Sequence, residues 1–147
     1  MEGWLGAGWI ALLVVLVLIV PPVLLAARRR WLARQGGTFE CSLRLRTTAT
    51  GAGWVLGVGR YNEENLEWFR FFSFSLRPRC AIVRTAVSVL EIREPDPVEA
   101  VAIYADQVVV RLQAIATDQE WQLAMAPDSV TGMLSWLEAA PPGGSTY

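Results

Sequence analysis

FECSLRLR, Phe39–Arg46, alternates apolar and polar side chains at every step. A period of two sends successive side chains to opposite faces, so the octet reads as a half-buried strand. Phe39, Cys41, Leu43 and Leu45 take the core side, with Cys41 acting as a small hydrophobe. The octet also marks a boundary. Before it the chain is continuously apolar and then basic; after it, alternation persists as far as Met125.

Working toward the N-terminus, Trp4–Ala27 (WLGAGWIALLVVLVLIVPPVLLAA) contains no charged side chain. A bilayer core is crossed by roughly 20 apolar residues, and the backbone inside it must satisfy its own polar groups, which makes this stretch a spanning helix. Glu2 is the only charged side chain before it, whereas Arg28, Arg29, Arg30 and Arg34 crowd its far end. The positive-inside rule then sets the N-terminus outside and everything after Arg28 in the cytoplasm, in a single-pass protein of the plasma (inner) membrane. A cleaved signal peptide fits less well, because the apolar run is too long and the positive charge follows it. Pro21-Pro22 suggests a kink, and Trp4, Trp9 and Trp31 read as interfacial anchors. Arg28–Gln35 reads as a short helix that Gly36-Gly37 ends. The expected organisation is an anchor at 1–27, a basic juxtamembrane linker at 28–37, a cytoplasmic domain at 38–140 and a flexible tail at 141–147.

Toward the C-terminus, Trp54–Tyr61 and Leu66–Phe74 read as strands joined by the polar turn Asn62–Asn65. In the second of them Trp68, Phe72 and Phe74 share one face while Phe69 and Phe71 share the other. Aromatics on both faces imply burial on both sides, either beneath the C-terminal helix or a loop, or beneath a partner. Cys80–Arg93 offers one bent strand or two short ones, and Glu94–Pro97 is a loop. Val98–Tyr104, Val108–Ala116 and Glu120–Met125 read as three more strands. The period then returns to helical: after Pro127, Asp128 or Ser129 caps a helix whose stripe is Val130, Met133, Leu134 and Leu137, widened by Trp136. About seven antiparallel strands followed by one amphipathic helix suggest a mainly β domain with a pleckstrin-homology-like bent sheet or partly open barrel, closed by that helix.

The net charge of −1 argues against bulk attraction to nucleic acid, and all 13 basic residues are arginine. With no histidine in the chain, a Cys–His or Ser–His pair cannot be built. Cys41 and Cys80 in a cytoplasmic domain stay reduced. Gly51, Gly53 and Gly57 lack the spacing and the lysine of a phosphate loop and read as turn or bulge glycines. Glu91, Glu94, Asp96 and Glu99 lack calcium-loop spacing and read as a solvated loop. No metal or cofactor is expected.

Gly57-Val58-Gly59-Arg60-Tyr61, Leu66-Glu67-Trp68-Phe69-Arg70, Ser73-Phe74-Ser75, Arg77-Pro78, Ile92-Arg93-Glu94-Pro95 and Leu134-Ser135-Trp136-Leu137-Glu138 together resemble an actinobacterial single-pass membrane-protein family, domain of unknown function 2550. The resemblance covers nearly the whole chain and implies its topology and lineage. It carries no activity and no site residues.

The function expected from these readings is non-enzymatic: a membrane-tethered binding or scaffolding module that recruits or steadies a protein partner at the inner leaflet, with membrane lipid contacted through the N-terminal helix. Trp68, Phe69, Phe71 and Trp136 are the aromatic candidates for partner contact. The alternative is recognition of anionic lipid headgroups or phosphate by Arg44, Arg46, Arg60, Arg77, Arg79 and Arg84. Arg28, Arg29, Arg30 and Arg34 are read first as determinants of topology.

Overall fold

The computed structural model describes residues 2–34, 36–45, 53–104 and 106–139. The first element, α1 (Glu2–Arg34), is a single 33-residue helix that runs through Pro21 and Pro22 and on past Ala27 without a break. At 1.5 Å per residue it is about 50 Å long, well over the roughly 30 Å of a bilayer core. It is long and apolar enough to cross a membrane, and its side chains from Trp4 to Leu24 are exposed. Gly36 and Gly37, at φ 76° and 63°, stop it in the left-handed conformation that glycine adopts without penalty.

Seven antiparallel strands follow: β1 (Thr38–Arg44), β2 (Trp54–Asn62), β3 (Asn65–Arg70), β4 (Cys80–Val83), β5 (Val87–Arg93), β6 (Val108–Ala114) and β7 (Glu120–Met125). They form one open sheet in the order β4-β3-β2-β1-β7-β6-β5. β1 is central, with Cys41 opposite Gly57 on one side and Met125 on the other. The inner face carries Cys41, Leu43, Leu66, Trp68, Val110, Leu112, Leu123 and Met125. Helix α3 (Pro127–Glu138) closes that face by inserting Val130 and Met133, with Leu134, Trp136 and Leu137 packed at its margin. This is the pleckstrin-homology-like arrangement, a mainly β fold preceded by one apolar helix.

Three local expectations change and one open reading is resolved. β3 ends at Arg70 rather than Phe74, so Phe72 and Phe74 lie outside the sheet and are exposed. Beyond Arg70 the chain turns away, and its carbonyl groups meet Arg28 of α1 instead of a strand. Cys80–Arg93 resolves into two strands separated by one 3-10 turn, Arg84–Ala86. Val98–Tyr104 is not a strand; it contains the short helix α2 (Glu99–Ala102). There the Glu99 carboxylate accepts the Asp96 backbone N–H at 3.1 Å, a local bond that outcompetes strand pairing. Finally, α3 begins on Pro127 itself, and its N-cap Ala126 supplies no side-chain bond, so neither Asp128 nor Ser129 is the cap. Residues 46–52, Arg46 among them, and the expected tail at 141–147 lie outside the described residues.

Gly57 is a strand residue, not a turn glycine. A Cβ there would stand 2.4 Å from the Trp68 ring and from the Phe69 carbonyl oxygen. The missing side chain lets Trp68 of β3 lie across β2 and donate its indole N–H to the Cys41 carbonyl at 2.9 Å.

Candidate functional site

On the outer face of the sheet the last turns of α1, rather than α3, lie over Val58 and Phe69. Leu25, Arg28 and Leu32 recur at i, i+3 and i+7, which aligns them on one face of the helix. Arg28 and Leu32 are buried there. Arg28 Nε donates to the Ser75 carbonyl at 2.8 Å, and its Nη1 donates to the Arg70 carbonyl at 3.1 Å and the Phe71 carbonyl at 3.4 Å. Arg29 lies 5.2 Å from the Phe71 ring centroid and 3.8 Å from the Glu40 carboxylate. Between helix and sheet runs a groove of about 380 Å³, lined by Leu25, Arg28, Leu32, Val58, Phe69 and Phe72 among others.

The four aromatic candidates fall in three different settings. Trp68 and Phe69 are each 1 % exposed, on opposite faces of β3. Trp68 belongs to the core, and Phe69 sits beneath α1 with the Arg60 guanidinium 4.9 Å from its ring centroid. Both are structural here, which corrects their reading as partner contacts: the second face is filled from within the chain. Phe71 is half-buried against α1. Trp136 is half-buried at the end of α3, its ring tilted against Tyr61 with centroids 5.1 Å apart, and donates to the Glu63 carbonyl at 3.2 Å.

The arginine candidates are dispersed as well. Arg44 and Arg60 occupy opposite ends of the β1–β2 ladder, opposite Trp54 and Thr38 respectively. Arg44 reaches Glu99 at 3.5 Å and Gln122 at 3.2 Å; Arg60 Nε donates to Glu67 at 3.1 Å. Arg84 is paired with Glu64. A single headgroup site built from all six is therefore not assembled. Arg77 and Arg79 are exposed on the segment after β3, and Arg46 is not among the described residues.

Glu99 was read from sequence as part of a solvated acidic loop, yet it is 1 % exposed. Arg93 grips it through both amino groups, at 2.7 and 3.0 Å, and Arg44 approaches from β1. The Arg93 hydrogen bonds outweigh burial and hold the carboxyl below its ordinary pKa. One signal for it was present: a lone carboxylate set inside Val98–Ile103, an otherwise uncharged run. Arg28 had a signal too, in its alignment with Leu25 and Leu32. Chemically the site offers forked hydrogen bonds, apolar contact and fixed charge. Cys41 is fully buried, and burial pushes its thiol pKa up, so it stays protonated. Among the described residues no group of acidic, cysteine and histidine side chains is placed to hold a metal.

Fold and site define a protein with one apolar N-terminal helix seated directly on a small pleckstrin-homology-like sheet. Residues 12–143 match the family described as Protein of unknown function (DUF2550), and the chain belongs to that family. It is similar to an uncharacterized protein of Mycobacterium tuberculosis (strain CDC 1551 / Oshkosh), 32% identical over 115 residues, which are 77% of this chain and 78% of the relative. An uncharacterized protein of Mycobacterium leprae (strain TN) is 31% identical over the same shares of each chain. No solved structure matches this chain.

Proposed function

We propose that the protein is a single-pass, non-enzymatic binding or scaffolding module of the plasma (inner) membrane, with its N-terminus outside, that presents its sheet to a protein partner at the inner leaflet. The arginine collar supports that orientation, since Arg28, Arg29, Arg30 and Arg34 all follow the apolar stretch. The Arg28 bonds to the carbonyls of Arg70, Phe71 and Ser75 support a domain held close to the helix rather than roaming on a tether.

The observation that carries the reading is an exposed apolar surface on the free edge of the sheet. Among the described residues β5 pairs only with β6, leaving its other edge open. Leu90 and Ile92 on β5 and Val98 and Val101 at α2 are exposed, and the Arg93–Glu99 pair pins α2 to the end of β5. An open strand edge beside apolar side chains suits a partner that adds a strand or packs a short apolar face.

The test is cross-linked co-purification of the full-length protein from its native membranes, beside an Ile92→Arg, Val101→Asp variant shown to insert and fold normally. A partner enriched with the wild type and lost with the variant is the expected result. Equal recovery of the same proteins by both forms would remove the β5 edge as the partner site.

A further inference from the structure

We propose that the segment between β3 and β4, Phe71–Arg79, dips into the headgroup region of the same membrane and gives the domain a second hold on the bilayer. The inference rests on the anchoring role assigned above to α1. Its starting point is a height marker. Arg28 is the first charged side chain after the apolar stretch Trp4–Ala27, and a charge at that point lies at the headgroup level. The same guanidinium holds the carbonyl groups of Arg70, Phe71 and Ser75. The segment is therefore pinned at the level where hydrocarbon gives way to headgroups. Phe71 and Phe72 line the same groove as Leu25 and Ala26, which belong to the apolar stretch itself.

What the segment exposes matches that depth. Phe72, Phe74 and Leu76 alternate along it and are 76 %, 59 % and 55 % exposed, large apolar groups with no cover among the described residues. In interfacial segments Phe and Leu side chains bury at the boundary between headgroups and acyl chains, with basic side chains beside them. Arg70, Arg77 and Arg79 flank them, all exposed, and none is in an ion pair among the described residues. From Arg70 to Arg79 there is no acidic residue. An apolar tip between unpaired arginines is complementary to a leaflet of anionic lipid, where the tips enter the acyl boundary and the guanidinium groups meet phosphate.

Depth-resolved spin labelling tests this in full-length protein reconstituted into phosphatidylethanolamine–phosphatidylglycerol vesicles. Labels are placed one at a time, in a Cys80→Ser background, by Leu76→Cys in the segment, Val15→Cys in α1 and Thr117→Cys in the exposed turn before β7. Collision rates with oxygen and with a water-soluble nickel chelate report depth. The expected result is a label at 76 several-fold better shielded from nickel than the label at 117, and a loss of that shielding on adding Arg77→Glu and Arg79→Glu. A label at 76 as open to nickel as the one at 117, while the label at 15 stays shielded, overturns the proposal and returns the segment to the water-facing surface as a protein contact. A label at 15 that is itself open to nickel overturns the anchor, and this proposal with it.

Discussion

Arg28 Nε donates to the Ser75 carbonyl at 2.8 Å across 47 positions of sequence, which ties α1 to the segment that follows β3. The planar fork of the guanidinium also serves the carbonyls of Arg70 and Phe71, whereas a lysine amine is a point donor without that spread. Arg28→Ala should loosen the seat by about 1.5–3 kcal/mol, the range for hydrogen bonds to a charged donor. Arg28→Lys should recover only part of it. The measurement is amide hydrogen exchange of the full chain: protection should fall in Phe71–Ser75 and stay unchanged in β6 and β7. Unchanged protection in Phe71–Ser75 would mean that the apolar contact of Leu32 holds the seat alone.

Gly57 and Gly132 should respond in opposite directions to the same change. A Cβ at 57 would collide with the Trp68 ring and the Phe69 carbonyl, both 2.4 Å away, and neither can retreat from the core. Gly57→Ala is therefore expected to cost at least the 1–3 kcal/mol, roughly, of an overpacked core. At Gly132, inside α3, nothing lies within 4 Å of the new atom. Gly132→Ala should add about 0.5–1 kcal/mol by lowering the entropy of the unfolded chain. Chemical denaturation of the two variants reads both signs.

The elements were legible where periodicity was clean. β1 follows from the alternation of Phe39–Leu45 and α3 from the stripe of Val130, Met133 and Leu137, and β2, β6 and β7 lie close to the runs read as strands at Trp54–Tyr61, Val108–Ala116 and Glu120–Met125. Reading failed where a distant group competed with a local pattern. Phe72 and Phe74 continue the alternation of β3, but Arg28 draws the backbone out of the sheet before they can join it. Val98–Tyr104 has strand composition, yet one buried carboxylate fixes it as a turn of helix. The site suffered most, because the cover of Phe69 comes from the last turns of α1, which sequence reading divides between a membrane span and a basic linker. Pairing of the mid-chain arginines with Glu64 and Glu67 is within reach of sequence reading, but the burial of Glu99 between Arg93 and Arg44 is a property of the folded sheet.

Glu99→Gln should be the most damaging single change in α2. It leaves Arg93 and Arg44 facing a neutral amide in a site that is nearly closed to water. Removing one partner of a buried ion pair costs roughly 3–5 kcal/mol. The wild-type carboxyl has its pKa lowered by the Arg93 hydrogen bonds. Its stabilisation is therefore complete above the ordinary carboxylate value, near 4.3 for glutamate, and fades as pH falls through the lower folded value. Denaturation midpoints taken from neutral pH down to pH 3 should fall for the wild type in that acid window. The variant, weaker throughout, should show a flatter profile there.

Trp136 ties α3 to the turn between β2 and β3. Its indole N–H donates to the Glu63 carbonyl at 3.2 Å, its ring lies tilted against Tyr61, and the Arg84 guanidinium lies 5.5 Å from the ring centroid. Trp136→Phe keeps the ring contact and loses the hydrogen bond, for an expected cost of about 1 kcal/mol. Trp136→Ala opens the end of the core, and roughly 3 kcal/mol should go with it. Tyr61 supplies an optical readout of the same contact. Burial, with a smaller contribution from Cys41, pushes its hydroxyl up to about 12. Uncovering the ring in Trp136→Ala should return that titration toward the free value near 10. An ultraviolet titration in which Tyr61 ionises late in both proteins would show that Phe39, stacked at 5.1 Å on its other side, shields the ring without help from α3.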